Sequence, residues 1–183
     1  NSGTSASAST FWRGDASWAA AGGGLVLQDL MSIKTDTTTS SATTFTDISD
    51  MSLAITPTKA SSKILLLGNI NAYTKGSSAF QCKFQVDVDS GGYADVPFLG
   101  AAAGDRTRCA FYYYAGSGIH ENHNMAWQYL HTPTYTLTDV LTYKLVFRLQ
   151  SGSDYLYVNR TFDDTDNDGY SRGASVFQLQ EID

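Results

Sequence analysis

The stretch Phe80-Gln-Cys-Lys-Phe-Gln-Val-Asp-Val88 decides the fold of this chain. Apolar and polar side chains alternate along it, so that every second residue from Phe80 to Val88 is apolar. A period of two places successive side chains on opposite faces of a β-strand. Residues 141–149 repeat the pattern, with Leu, Tyr, Leu, Phe and Leu separated by Thr, Lys, Val and Arg. Together the two segments predict half-buried strands of an antiparallel sheet.

Segments with strand character continue on both sides of this pair. Ile64 to Leu67 is a continuous apolar run, which predicts a strand buried on both faces. Ser90-Gly91-Gly92 predicts a turn into a strand at 93–99, and Ser151 to Asp154 predicts the turn of a late hairpin. Further strands are predicted at 25–33, 44–48, 53–56, 63–73, 108–115, 125–131, 140–150, 155–162 and 174–182. About ten strands with regular turns and no convincing helix predict an all-β fold, an antiparallel β-sandwich that is jelly-roll-like, over residues 25–183.

The composition agrees with strands and turns. The 183 residues are 42% hydrophobic and 16% charged, and only two of the 18 acidic residues are Glu. So little Glu, Lys and Arg leaves few residues for exposed helix faces, whereas Thr, Tyr, Phe, Asp and Gly suit strands and turns. The net charge of −6 argues against nucleic acid as a partner, because such binding needs clustered Lys and Arg. No window supplies the roughly 20 apolar residues of a membrane helix, so we expect no membrane insertion.

Residues 1–24 differ from the rest of the chain and are predicted to form an extended segment. Phe11, Trp12 and Trp18 lie in a stretch without a usable period, so the segment cannot cover these rings by itself. We expect them to pack against another copy of the chain. The sequence starts with Asn and shows no basic and apolar leader, which favours a piece of a longer polypeptide.

Two groups of residues have the chemistry of metal ligands. His120-Glu121-Asn122-His123 is the tightest group, but the glycines around it favour a solvated loop. Three copies of one of these His residues on a threefold axis could also hold a metal. Asp164, Asp166 and Asp168 have the spacing of the first ligands in a calcium loop, although Glu is missing at the twelfth position. A calcium site and an Asp-rich turn both stay open there, and we expect no cofactor to be required.

Three other short features have simple structural interpretations. Cys82 and Cys109 allow at most one disulfide, and in strand-like runs we expect two buried free thiols. Asn159-Arg160-Thr161 is formally a glycosylation sequon, but it lies within a predicted strand. Arg13-Gly14-Asp15 matches an integrin-binding tripeptide, and a turn explains it better. The sequence contains no nucleophile elbow, no zinc-protease motif and no phosphate loop, so we expect no enzyme activity.

Five segments of the chain form a recognisable series. Residues 10–18 read TFWRGDASW, and residues 61–66 read SSKILL. Later segments are TYKLVFR at 142–148 and YVNR at 157–160, and the chain closes with SRGASVFQLQEI at 171–182. In this order they resemble the end of the shaft, a buried strand, the last hairpin and the terminus of the C-terminal domains of bacteriophage tail fibres. Residues 45–48 (FTDI) and 53–57 (LAITP) also resemble the opening strands of these domains. Fibres of this kind are common in marine and cyanobacterial phages.

The resemblance implies a virion protein, the receptor-binding tip of a tail fibre that assembles in the host cytoplasm as a parallel homotrimer. Such a tip binds a bacterial surface glycan or an outer-membrane protein and contacts other tail proteins. Phe11, Trp12 and Trp18 would then form the trimer contact. Residues 91–124 match no part of the family pattern, and a host-specific surface is expected there. The candidate receptor-binding residues supply stacking rings and hydrogen-bonding groups: Tyr93, Asp95, Arg106, Arg108, Tyr112, Tyr114, His120, Glu121 and His123.

Two other functions are compatible with the same sequence. A purely structural module would hold three chains in register, or decorate a capsid, without binding a receptor. A tailspike-type enzyme that degrades polysaccharide would need two carboxylates facing a groove, and the many Asp residues fall mostly in predicted turns. Deletion of residues 91–124 would distinguish the first alternative, because adhesion predicts intact trimers that no longer attach to the host.

Overall fold

A computed structural model of the chain describes residues 10–12, 14, 18–20, 25–74, 78–114, 123–168 and 170–183. Within these ranges the chain forms thirteen strands and no helix, and all paired strands are antiparallel. The described part of the chain thus contains no helix that could cross a membrane. The prediction of an all-β, antiparallel fold is confirmed.

The described strands form two large sheets and one small ribbon. β1 (Thr10–Trp12) and β2 (Trp18–Ala20) form the ribbon, in which Trp12 lies opposite Trp18. The first sheet contains β3 (Val26–Lys34), β4 (Thr38–Ser40), β6 (Lys63–Thr74), β10 (His123–His131), β12 (Leu156–Val158) and β13 (Ser175–Ile182). The second sheet contains β5 (Thr46–Ile55), β7 (Ala79–Val88), β8 (Ala94–Asp95), β9 (Phe111–Tyr114) and β11 (Leu141–Leu149).

The order of the main strands is that of a jelly roll. In the first sheet β3, β13, β6 and β10 are neighbours in this order, and in the second sheet the order is β5, β11, β7 and β9. Numbered along the chain, these eight strands give the orders 1-8-3-6 and 2-7-4-5. Two packed antiparallel sheets with this connectivity make the jelly-roll sandwich, as the sequence predicts.

An aromatic core fills the space between the sheets, and one glycine makes room for it. Phe84 of β7 packs against Trp127 and Phe177 of the first sheet, with ring centroids 5.3 and 6.1 Å apart. Gly68 lies beneath the Trp127 ring and has a φ of +147°. A Cβ atom there would lie 2.1 Å from the carbonyl oxygen of Val176 and 2.7 Å from the indole ring. Only glycine therefore allows β6 to pair with β13 under this ring.

The C-terminal strand is tied to the turn before β6 by a buried carboxylate. Glu181 has no exposed surface, and its Oε1 accepts hydrogen bonds from Thr58 N at 2.7 Å, Ser62 Oγ at 2.7 Å and Lys59 N at 3.2 Å. Its Oε2 accepts a bond from Gln28 Nε2 at 2.6 Å. Burial alone would raise the pKa of Glu181, but the hydrogen bonds outweigh burial and hold that pKa below its ordinary value.

One strand replaces the two short strands predicted at 44–48 and 53–56. β5 is continuous, and its register on β11 shifts at an irregularity. Ile48, Met51 and Ile55 all face the core, so the inward positions are three and then four residues apart. This spacing breaks the period of two, and for that reason the alternation could not be followed through the strand.

The predicted late hairpin does not form. β11 belongs to the second sheet, whereas β12 belongs to the first sheet and pairs with β4 and β6. Residues 150–155 therefore cross between the sheets, which lets Leu156 and Val158 become fully buried. The strand predicted at 155–162 ends early, because Asn159 has a φ of +60° and turns the chain.

Asn159 and the two cysteines are fixed by their surroundings. Asn159 is fully buried, and its Nδ2 donates to the carbonyl oxygens of Lys34 at 2.9 Å and Asp36 at 3.0 Å. The nitrogen that a glycan would need is thus already engaged. Cys82 and Cys109 are free thiols, as predicted, but only Cys82 is fully buried.

The apolar run at the start of β6 is buried on one face only. Ile64 and Leu66 have no exposed surface, whereas Leu65 and Leu67 are partly exposed on the outer side of the first sheet. The prediction of burial on both faces is wrong for the single chain, because no described segment covers the outer side of these two residues. The first sheet therefore presents apolar surface to its surroundings.

Candidate functional site

The outward side chains of the second sheet form a polar surface, here called the second-sheet face. Asp95, Gln85 and Lys144 lie side by side across β8, β7 and β11. Lys83 Nζ lies 2.7 Å from Asp95 Oδ2, and Gln85 Nε2 donates to Asp95 Oδ1 at 3.0 Å. Burial alone would raise the pKa of Asp95, but these two hydrogen bonds and the positive charges of Lys83 and Arg108 outweigh burial and lower it. Lys144 Nζ lies 3.6 Å from the centroid of the Tyr93 ring, in a cation–π contact.

A cleft of about 510 Å³ lies beside these residues, and we call it the arginine cleft. One side comes from neighbouring positions of β9, β7 and β11, namely Tyr112, Gln81 and Arg148. The other side comes from the loop between β8 and β9. The full lining is Gln81, Asp105, Arg106, Thr107, Cys109, Tyr112, Arg148 and Gln150.

The loop that lines the cleft is anchored to the core at both ends. The loop is longer than the sequence predicts. The strands predicted at 93–99 and 108–115 are too long, because only β8 and β9 form in the described part of these ranges. Near its start Phe98 stacks on Tyr129, with ring centroids 4.8 Å apart. At its end Ala110 N donates to the carbonyl oxygen of Cys82 at 2.7 Å. These contacts fix the two ends of the loop that lines the cleft.

Cations that form no direct ion pair gather at the cleft. Six of the ten Lys and Arg residues that the structure describes form ion pairs: Lys34, Lys59, Lys83, Lys144, Arg160 and Arg172. The four described without one are Lys63, Arg106, Arg108 and Arg148. Arg106 and Arg148 line the cleft, and Arg108 lies between two lining residues in the sequence. Arg148 is half-buried, and its hydrogen bonds to Leu149 O and Thr107 Oγ1 are both 3.4 Å long.

The remaining lining groups suit a ligand with hydroxyl groups. The side-chain oxygen of Gln81 is buried and has no hydrogen-bond partner within the described residues. A buried amide oxygen favours a donor, and a ligand hydroxyl would reach this one only after the Gln81 side chain turns toward the cleft. Tyr112 is 59% exposed, so its ring offers an open face beside that oxygen. Tyr114, two positions along β9 on the same side, is also exposed.

The nine residues predicted to bind a receptor fall into three groups. Six lie on the second-sheet face or in its loop: Tyr93, Asp95, Arg106, Arg108, Tyr112 and Tyr114. His123 lies instead in β10 of the first sheet, where its ring contacts Tyr113 and shares a hydrogen bond with the Tyr113 hydroxyl. His120 and Glu121 lie outside the described residues.

Sequence reasoning missed several lining residues that a simple rule would have found. Gln81 and Arg148 occupy outward positions of the two alternating segments that predicted the fold. Strand pairing brings them together, although they are far apart in the sequence. No sequence signal marked Asp105, Thr107 and Cys109, because only the path of the loop between β8 and β9 brings them to the cleft, nor Gln150, which directly follows β11.

The predicted calcium ligands lie in the loop between β12 and β13. Arg172 donates to both carboxylate oxygens of Asp164, at 2.9 and 2.6 Å, and this pairing holds the pKa of Asp164 below its ordinary value. Asp166 and Asp168 are exposed. No three His, Cys, Asp or Glu side chains within the described ranges come together as a metal site. Calcium binding at residues 164–168 stays a prediction.

The outward side chains of β3, β13, β6 and β10 form a second surface, here called the first-sheet face. Val26, Met31, Ile33 and Leu130 are between 45% and 57% exposed. Strand register surrounds them with the partly exposed Leu65, Leu67, Val176 and Ile182 and with amide side chains. Among the described outward positions of these strands, only Asp29 and Lys63 are charged at neutral pH.

The residues predicted at a trimer contact are described only in part. Trp12 is 56% exposed in the single chain. The backbones of Phe11 and Trp18 belong to β1 and β2, whereas their side chains lie outside the described part of the structure.

Comparison with known proteins gives no family assignment. No family model and no curated protein matches this chain. Function is therefore inferred from the two outer faces and from the sequence series described above.

Proposed function

We propose that this chain is a non-enzymatic virion domain, the tip of a bacteriophage tail fibre, which binds a glycan of the bacterial surface. The arginine cleft beside the exposed tyrosines of β9 is the observation that carries the proposal. Sugar rings stack on open aromatic faces, and their hydroxyl groups bond to amides, guanidinium groups and carboxylates. The tail-fibre assignment rests on the series of resembling segments.

The lining of the cleft favours binding over hydrolysis. A glycosidase ordinarily places two carboxyl groups on either side of the scissile bond. The residues that line the arginine cleft include one carboxylate, that of Asp105. Tyr112, Gln81 and Gln150 supply the ring and the amides that hold a sugar without cleaving it.

The first-sheet face supports the proposal that the domain acts as a homotrimer. Exposed aliphatic side chains begin with Leu25, directly after the segment predicted to contact sister copies, and Leu25 is 61% exposed. Chains with a net charge of −6 repel one another. Association through a nearly uncharged apolar surface brings the fewest like charges together and buries the most apolar area, so its free energy is the most favourable. Three copies would present three clefts, so modest affinity at each would add up to firm attachment.

A purely structural module is the second candidate, because the first-sheet face and Trp12 alone would be enough for assembly. Deletion of residues 91–124 cannot separate the two functions, since Phe98 and Phe111 of that range pack against the core. Point substitutions in the cleft are the cleaner test.

The test measures binding of the soluble domain to an array of bacterial surface glycans. We expect the wild type to bind a subset of the glycans and Tyr112→Ala to bind them at least 10-fold more weakly, because stacking is lost. Tyr155→Ala is the matched control, since Tyr155 is 46% exposed, directly precedes β12 and does not line the cleft. A wild-type protein that assembles but binds no glycan would favour the structural module.

A further inference from the structure

We infer that the arginine cleft selects an acidic sugar, one that carries a carboxylate or a phosphate group. This inference rests on the proposed glycan binding and names the class of glycan. The observation behind it is the distribution of charge in the described chain. Of four cations without an ion pair, two line the cleft and a third, Arg108, lies in the same loop.

The position of Arg148 makes a counter-charge valuable. Its side chain is half-buried in β11, where hydration of the guanidinium group is reduced. The protein supplies two long hydrogen bonds of 3.4 Å and no carboxylate. A guanidinium group binds the two oxygens of a carboxylate or phosphate side by side, and such charge-assisted bonds are about twice as strong as neutral ones.

Asp105 does not neutralise the arginines. It lines the cleft, but it forms no ion pair with Arg106 or Arg148. Two guanidinium groups and one carboxylate leave the lining with a net charge of +1 in a chain whose total is −6. A neutral sugar would leave this local excess unpaired, whereas an acidic sugar pairs with it.

Each part of an acidic sugar finds a matching group in the lining. The acid group pairs with Arg106 and Arg148, and the sugar ring stacks on Tyr112. The exposed carboxylate of Asp105 accepts a hydrogen bond from a ring hydroxyl. Polar groups that hold both the acid and the hydroxyls would separate acidic sugars from simple anions.

The test uses an array of matched glycan pairs. Each uronic-acid polysaccharide is printed beside its carboxyl-reduced form, and each phosphate-bearing glycan beside its dephosphorylated form. We expect binding to the acidic member of a pair and a loss of at least 10-fold for its neutral partner. The two kinds of pair tell a carboxylate ligand from a phosphate ligand.

Charge-removing variants make the same test from the protein side. Arg106→Gln and Arg148→Gln should each weaken binding to the acidic glycan about 10- to 100-fold, the effect of losing a charge-assisted hydrogen bond. Lys63→Gln is the matched control, because it removes the fourth unpaired cation from the opposite side of the sandwich. Since Arg148 lies in a strand, melting temperatures of all variants show whether each one is folded, and Arg106 in the loop provides an independent variant.

The outcomes separate this inference from the proposed function. Equal binding to acidic and neutral members, with Arg106→Gln unaffected, overturns the acidic-sugar inference and leaves glycan binding in place. Binding to no glycan at all overturns both. Binding to every polyanion on the array, including sulfated polymers without a matching sugar, overturns the inference as well, because the cleft would then select charge alone.

Discussion

The two outer faces of the sandwich occupy equivalent places in the fold but have opposite chemistry. The second-sheet face carries Lys83, Lys144 and Arg148 together with exposed tyrosine rings. The first-sheet face carries aliphatic and amide side chains, with one acid and one lysine at its outward strand positions. Both sheets contribute apolar side chains to one core. The core therefore explains the fold, and the difference between the outer faces is the reason that we propose two separate contacts, one with a ligand and one with a sister chain.

The largest effect is expected from breaking the sheet that carries the aliphatic face. Gly68→Ala should destabilise the domain by about 3 kcal/mol or more, because the new methyl group meets the backbone of Val176, which cannot move aside. Chemical denaturation measures the loss. Gly100→Ala is the control in the cleft loop, where the nearest heavy atom to the added Cβ is 3.8 Å away. Equal stability of the two variants would contradict the close packing of β6 against β13.

Charges placed on the first-sheet face should separate assembly from binding. We expect the double variant Met31→Asp and Ile33→Asp to be monomeric, because association would bury several carboxylates without partners. The solution mass from light scattering gives the assembly state. Each monomer should bind glycan with wild-type affinity, measured by titration calorimetry. Thr142→Asp places a charge at an outward position of the second sheet and should keep the wild-type mass. A monomeric Thr142→Asp variant would contradict the proposal that assembly uses the first-sheet face alone.

Glu181→Gln should weaken the attachment of β13 within the first sheet. We expect a loss of about 2 kcal/mol at pH 7, because an amide cannot accept all the hydrogen bonds that the carboxylate accepts. The folded pKa of Glu181 lies below its ordinary value of 4.5. Its stabilisation is therefore complete above about pH 4.5 and is lost as the pH falls through the folded pKa.

The measurement is urea denaturation of both proteins between pH 7 and pH 3. The stability difference between wild type and Glu181→Gln should shrink as the pH falls. Asp183→Asn, which breaks the exposed ion pair with Lys59, should cost less than about 1 kcal/mol. A difference that stays constant with pH would show that the carboxylate charge is unimportant.

The smallest predicted change in stability concerns a hydrogen bond that joins the two sheets. His131 of β10 and Tyr143 of β11 share a hydrogen bond of 2.8 Å between the sheets. Burial lowers the pKa of His131 below its ordinary value of 6.5, so the folded state binds a proton less readily than the unfolded state. Stability is therefore complete above about pH 6.5 and declines as the pH falls from there toward the folded pKa, by at most about 1.4 kcal/mol per pH unit.

His131→Gln should flatten this decline between pH 7.5 and pH 5.5, and thermal melts at several pH values would show it. His123→Gln provides the comparison for a histidine of the same strand. An unchanged pH profile in His131→Gln would mean that His131 is not the responsible group. Tyr143→Phe should cost about 1 kcal/mol at neutral pH, because His131 loses its hydrogen-bond partner.

The sequence predicted those strands in which apolar and polar residues alternate without interruption. Alternation over 80–88 and 141–149 fixed β7 and β11, and the same alternation implied that Gln81 and Arg148 point outward. It failed where an irregularity shifts the period, as at Met51 in β5, and where the chain crosses between sheets before β12. Neither the irregularity in β5 nor the crossing before β12 can be recognised from the local sequence, because each depends on pairing with strands that are distant in the sequence.

The candidate site was also predicted in part from the sequence. Aromatic and basic residues of the segment without family resemblance do lie on the second-sheet face, and Tyr112 and Arg106 meet at the cleft. The contribution of β11 was missed, because it depends on register between strands about sixty residues apart. His123 belongs to a strand of the first sheet, although its ring contacts Tyr113 of β9, and its proximity in sequence to the same segment could not show which sheet its strand joins.

The anchoring of the loop between β8 and β9 has a consequence for protein engineering. Because Phe98 and Ala110 fasten both ends to the framework, we expect that residues 101–107 between them can be exchanged without disturbing the core between the two sheets. A display library randomised over those seven positions would keep one rigid scaffold while presenting many alternative recognition surfaces. New specificities could then be selected without redesigning the rest of the domain.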